Sequence, residues 1–198
     1  MPVTPTVTAV RAAGRRVAVE LDGRPWRTVP LEAAVAARLS PGVGLDRERA
    51  RDLARALRRH RAEGVVIRAV ARREHTRATL AERLERAGVE ASGRSEALER
   101  AERAGLVDDR RYAAARARHL ADRGAGDELV LDDLVRHGVD DVLAREAVAA
   151  LEPERDRAAR IVVARGLSAR TARFLAAKGF TAEVVEEVVA ELESRALP

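Results

Sequence analysis

Leu84-Glu85-Arg86-Ala87-Gly88-Val89, Leu134-Val135-Arg136-His137-Gly138-Val139 and Leu175-Ala176-Ala177-Lys178-Gly179-Phe180 are three copies of one pattern. In each copy a core-facing Leu is followed by one turn of helix. A Gly able to take positive φ then ends the helix, and an apolar residue folds back onto that end. The copies start at residues 84, 134 and 175, and the later two also agree downstream, where Val148 and Leu151 match Val189 and Leu192. Recurrence at this spacing predicts stacked supersecondary units.

Composition sets what those units are built from. The chain has 198 residues, 2% aromatic residues and no Cys. An interior made of Ala, Leu and Val suits close-packed helices, whereas a sandwich or barrel draws on more aromatic and β-branched residues. Without Cys there is neither a disulfide framework nor thiolate chemistry. The opening Met1-Pro2-Val3-Thr4-Pro5 has no basic leader or apolar run, and no stretch approaches the roughly 20 apolar residues of a membrane span, so a soluble cytoplasmic protein with no membrane partner is expected. The single Lys is Lys178, and a GC-rich codon pool accounts for the Arg bias without any site. The pI near 10.8 reports net sign, and a basic chain is drawn to polyanions.

Residues 6–29 read differently from the rest. Val17, Val19 and Leu21 alternate with polar or small residues, Asp22-Gly23 is a tight-turn dipeptide, and Trp26-Arg27-Thr28-Val29 returns as the partner strand. A third strand at 6–10 completes a small antiparallel sheet. Pro30-Leu31-Glu32 opens a short helix ending near Ser40-Pro41-Gly42, and Asp46 caps a longer one carrying seven Arg against three acids up to Arg61. That segment reads equally as a solvated face and as a binding surface.

The rest divides into helices at 62–73, 76–88 and 95–104; at 109–123, 127–137 and 141–151; and at 154–165, 169–178 and 182–194. Gly105, Gly124, Gly166 and Gly179 stand at stops, Thr76, Asp140, Ser168 and Thr181 at starts, and Pro153 separates the last two triplets. The expected fold is mainly α: tandem three-helix repeats in an elongated curved array, with a small antiparallel β element at the N-terminus. Its segments are the β-hairpin and short helix over 1–45, a connecting helix over 46–61, and repeats over 62–105, 106–152 and 153–198. An array of this kind offers an extended concave surface and no single deep pocket.

Gly105-Leu106-Val107-Asp108-Asp109-Arg110-Arg111-Tyr112-Ala113 resembles the most recognisable stretch of the RecX family, bacterial regulators of the RecA recombinase. Ala71-Arg72-Arg73-Glu74-His75-Thr76 with Leu80 and Leu84 resembles the family's opening pattern, and Arg170 to Phe180 its closing element. The Asp22-Gly23 strand pair and short helix are similar to an N-terminal piece that many members carry. The ordered set, covering residues 15–192, carries the resemblance. It implies a protein that binds RecA filaments along their groove, contacts the DNA they hold, and restrains ATP hydrolysis, strand exchange and co-protease activity.

The candidate filament- and nucleic-acid-binding residues are the basic ones. Arg68, Arg72, Arg73, Arg77, Arg83 and Arg86 outnumber Glu74, Glu82 and Glu85 in the first repeat. Arg111, Arg116, Arg118 and Arg123 make the first helix of the second repeat basic. In the third, Arg165, Arg170, Arg173 and Lys178, with Arg155, Arg157 and Arg160, face an acidic last helix bearing Glu183, Glu186, Glu187, Glu191 and Glu193. Such charge neutralises phosphates without reading bases, so single- or double-stranded DNA is an expected partner regardless of sequence. Where many family members carry basic residues, the helix at 127–137 carries Asp127, Glu128, Asp132 and Asp133, a departure from the pattern that speaks against direct DNA contact by this helix. It reads as a solvated face or as a surface for a basic protein patch.

Tyr112 and Phe174 are expected in the core, and Trp26 is the aromatic with the best claim to exposure. His60, His75, His119 and His137 have no metal-ligand spacing, and no Gly-rich phosphate loop or nucleophile elbow is present. Asp108-Asp109 reads as a turn and a helix start. A monomeric regulator without catalytic residues, metal or cofactor is therefore expected. A nonspecific or helix-turn-helix-like DNA binder and a helical protein-interaction scaffold remain the alternatives.

Overall fold

The computed structural model describes residues 4–196, apart from the side chains of 191–193, 195 and 196. Met1-Pro2-Val3 and the side chains of Glu191, Leu192 and Glu193 therefore lie outside the described residues. The protein is mainly helical with one small antiparallel sheet. It divides into two compact units, Met1–Arg72 with Ala81–Ala101, and Arg73–Leu80 with Glu102–Pro198.

In the first unit, β1 (Val7–Ala13), β2 (Arg16–Leu21) and β3 (Arg24–Pro30) pair in the order β1-β2-β3. Asp22 and Gly23, at φ 49° and 77°, form the two-residue turn whose twist matches the strands it joins. The Asp22 carboxylate also accepts from the Thr6 N–H at 2.8 Å. Residues 42–45 cover the outer edge of β1, with the Val7 N–H bonded to Val43 O and the Gly42 N–H to Val7 O, both at 2.8 Å. Alternation puts Val17 and Val19 on the inner face, where they pack with Val7, Val29, Ala33 and Ala34 of α1 (Leu31–Ala36), and Leu53 of α2 (Arg47–Val70). Buried side chains of this size each contribute about 1.5–3 kcal/mol, which makes the three-stranded sheet viable against its helices.

The connecting helix expected at 46–61 and the first helix of the repeat expected at 62–73 are one continuous helix, α2. Asp46 caps it by accepting from the Arg49 N–H at 2.8 Å. No Pro or positive-φ residue interrupts it at residues 60–64, and Ala62, Val66 and Ala69 continue the buried stripe begun by Leu53. The remaining helices are α3 (Arg77–Arg86), α4 (Ala91–Arg103), α5 (Asp109–Asp122), α6 (Asp127–Arg136), α7 (Asp141–Ala149), α8 (Glu154–Arg165), α9 (Ala169–Ala177) and α10 (Ala182–Ala196). α4 starts four residues earlier than expected. No helix among the described residues is long and apolar enough to cross a membrane.

The six-residue pattern forms the same stop each time. The Val89, Val139 and Phe180 N–H groups return to Leu84, Leu134 and Leu175 O at 3.0, 3.1 and 3.1 Å, the outer bond of a Schellman motif. All three Leu are fully buried, the returning Val89, Val139 and Phe180 are buried too, and Val139 and Phe180 share a core with Leu134 and Leu175. In the second unit, α5, α6 and α7 enclose one core, which includes Ala113, Ala117, Val130, Leu134 and Ala144. α8, α9 and α10 enclose another, which includes Ala158, Leu175, Phe180 and Val184.

Two of the stops also dock the start of an earlier helix. Thr76 Oγ1, at the head of α3, donates to His137 O at 2.6 Å, and the Arg77 N–H donates to Asp109 Oδ1 at 2.8 Å. One triplet later the Gly126 N–H donates to Lys178 O at 2.8 Å and the Asp127 N–H to Glu154 Oε1 at 2.6 Å. A helix start thus meets a helix end twice in the same way, with opposite dipole ends together. At Gly138 an added Cβ would overlap the Ala78 Cβ, and at Gly179 it would lie 2.6 Å from the Leu129 Cβ. With φ of 74° at each, these glycines serve both the turn and the contact.

Candidate nucleic-acid interface

Helix direction and spacing decide which arginines are free to meet a polyanion. In the first unit Arg68 and Arg72 are exposed near the end of α2 and Arg83 is half-buried on α3. None of the three has a carboxylate partner among the described residues. Arg86, one turn beyond Arg83, is exposed and lies 4.0 Å from Glu82, a contact that solvent weakens.

The second unit separates its candidates into two groups. Arg73, Arg118, Arg123, Arg170 and Arg173 are exposed with no carboxylate partner among the described residues. Arg77, Arg111 and Arg116 are engaged within the fold. Arg77 reaches Glu102 at 2.5 Å; Arg111 reaches Glu74 at 3.0 Å and Gly105 O at 3.3 Å. Arg116 holds Asp133 through two bonds of 2.8 and 2.9 Å, tying α5 to α6. Hydrogen bonding to Arg116 holds the Asp133 carboxyl below its ordinary range, and the same bond raises the Arg116 guanidinium.

Three expectations are corrected here. Arg157, grouped with the basic face of the last repeat, is 5% exposed. It donates to Ala125 O at 2.7 Å and Glu152 O at 3.0 Å and pairs with Asp127. Its position on the inner side of the first turn of α8 decides this, because a buried guanidinium persists where its donors are filled. The acidic helix α6 is accordingly not simply a solvated face. Asp127 and Asp133 are tied to Arg157 and Arg116, while Glu128 and Asp132 remain outward. Burial raises the Asp127 carboxyl, and the Arg157 charge opposes it.

Phe174 is the third. It is half-buried beside the core of its triplet, with Arg165 4.0 Å and Lys178 5.8 Å from its ring centre. Phe180 takes the core position instead. Cations over a ring are stabilised by its negative face, so Phe174 holds two candidate basic residues in place. Tyr112 is half-buried against the core of the second triplet, and Trp26 is 39% exposed with Arg27 5.0 Å from its ring.

Buried Glu154 had no sequence signal beyond its place at a helix start. It accepts from the Asp127 N–H, the Thr181 N–H and Thr181 Oγ1, and so fixes the starts of α6 and α10. Among the described residues no group of three His, Asp or Glu side chains could hold a metal ion.

No family model matches the chain. Over 134 residues it is 34% identical to Regulatory protein RecX of Halorhodospira halophila, covering 63% of this chain and 83% of that protein. It is 32% identical over 137 residues to Regulatory protein RecX of Acidithiobacillus ferrooxidans, covering 63% and 86%. Among solved structures, a regulatory protein RecX superposes with a TM-score of 0.77 at 18% identity, covering 94% of this chain and 99% of that one. RecX from Lactobacillus salivarius superposes with a TM-score of 0.60 at 16% identity, covering 69% and 97%. The structural likenesses speak for a shared fold, and the sequence relatives, matched across most of their length, carry the assignment: the chain belongs to the RecX family of regulatory proteins.

Proposed function

We propose that this chain binds the filament that RecA recombinase forms on DNA and restrains its ATP hydrolysis, strand exchange and co-protease activity by occupying the filament groove. The observation that carries this reading is the set of arginines left without carboxylate partners on helix after helix: Arg68 and Arg72 in the first unit, Arg73, Arg118, Arg123, Arg170 and Arg173 in the second. Those charges are free to neutralise phosphates, and the engaged ones hold the helices that display them. The triplets over 62–105, 106–152 and 153–198 act as successive weak binding modules whose contacts add through linkage. The protein works as a monomer by obstruction: its body excludes a second duplex and bridges adjacent recombinase subunits, with no covalent step.

The test compares affinity for a recombinase filament assembled on a labelled single strand with affinity for the same strand bare. Filament binding at least about tenfold tighter, a difference of roughly 1.4 kcal/mol, is expected. Equal affinities would point to a nonspecific DNA binder, and filament binding indifferent to salt would point to a protein-interaction scaffold.

A further inference from the structure

The stop of α3 differs from the two later stops in what meets it. At His137 and Lys178 the carbonyls accept from the start of an earlier helix. At the α3 stop, Ala87 O accepts from the Arg61 guanidinium of α2 at 2.6 Å. Beside it lies an open groove of about 350 Å³ within the first unit. One wall is α2, with Arg55, Arg58, Arg59 and Arg61; the other is Gly88, Val89 and the first turn of α4. A helix start, itself positive, is repelled by that wall, whereas an anion is drawn to it.

The charge there is not cancelled from within. Arg55, Arg58 and Arg59 are exposed and have no carboxylate partner among the described residues. Of the acids at the groove, Glu96 is held by Arg100 at 3.6 Å, as is neighbouring Glu63 at 3.0 Å, which leaves Glu90 at the rim, while Glu48 and Asp52 stand beside Arg47 and Arg51 on α2. Arg47 and Arg51 extend the row along α2, so that 47, 51, 55 and 59 follow one another at four-residue steps. Twelve residues of helix span about 18 Å, and a strand places one phosphate per roughly 3.4 Å along a duplex axis, so the row matches about five phosphates and not one small ion.

We propose that this α2 row and groove form a phosphodiester-binding site that takes the backbone of a single nucleic-acid strand. The inference rests on the nucleic-acid part of the function proposed above and locates it on residues outside the three triplets' candidate set.

The test is fluorescence anisotropy of the full chain on a labelled 30-nucleotide single strand without recombinase, for R55Q/R58Q/R59Q and for a charge-matched control, R110Q/R136Q/R145Q. The control arginines are each paired with a carboxylate, Glu146, Asp132 and Asp141. The groove variant is expected to lose at least about tenfold in affinity at low salt and to flatten the log–log salt slope by about 2, at roughly 0.7 per phosphate contact, with the control losing less than about threefold. If the triple variant melts early, single R59Q carries the test, with a slope change of about 0.7. Equal losses in groove and control variants, or no loss in either, overturn the site. An unlabelled poly-Glu peptide competing as well as an unlabelled strand of equal charge overturns the nucleic-acid assignment. Because recombinase is absent, failure here leaves the filament test standing.

Discussion

Asp133 shows how single residues in this protein divide between display and support. Its carboxylate accepts both arms of Arg116 and lies 3.5 Å from His137, at the end of α6 whose carbonyl holds Thr76. Replacing it in D133N should cost about 1–3 kcal/mol at pH 7, since Arg116 loses its charged acceptor. The Arg116 hydrogen bond holds the native carboxyl below the ordinary Asp range, so its contribution is complete above that range and is lost as pH falls through the lowered native value. Urea unfolding of wild type and D133N should therefore differ at pH 7 and converge toward pH 2; a gap independent of pH would deny the ion pair its role. That Arg116 is a clamp and Arg118 is free was not legible in the sequence. The partner of Arg116 lies seventeen residues away on another helix, as that of Arg157 lies thirty residues back, and charge counts along a segment do not see such pairs. Phe174 failed for a related reason: its neighbour Leu175 faces the core, and the ring turns to where Arg165 and Lys178 cap it.

Among elements, the helix stops were legible because their chemistry is local: a buried Leu, a Gly at positive φ and a returning apolar residue lie within six positions. Their second use, as docking points for the starts of α3 and α6, was not, since it joins residues sixty-one positions apart in the case of Thr76 and His137. The hairpin was read from Asp22-Gly23 for the same local reason. The division of α2 into two helices was misplaced because the repeat phase suggested a boundary that no breaker residue enforces. Gly64 tests its continuity. It lies inside the helix without positive φ, and an added Cβ would meet only the movable guanidinium of Arg68, at 3.1 Å. G64A should stabilise the protein by about 0.5–1 kcal/mol and raise its Tm by roughly 2 °C. A lowered Tm would mean that the helix is interrupted there.

For the molecule as a whole, net charge is a poor guide and its residue-level distribution a good one. The formal charge is only +5, yet many of the acids are spent on internal pairs, which leaves Arg68, Arg72, Arg73, Arg118, Arg123, Arg170 and Arg173 and the α2 row outward. Family membership was legible from the ordered motifs, while the α2 groove was not, because its second wall comes from α4 about thirty residues on. The proposed restraint of a recombinase filament joins these features: supported helices and free arginines. Titration of the DNA-dependent ATPase of a RecA filament with this protein tests it most directly. The account predicts that hydrolysis falls as the protein saturates the filament, and that R72E/R73E/R118E/R123E, folded normally, needs at least about ten times more protein, each lost phosphate contact weakening binding. Hydrolysis unchanged at saturation, or inhibited equally by the variant, would contradict it.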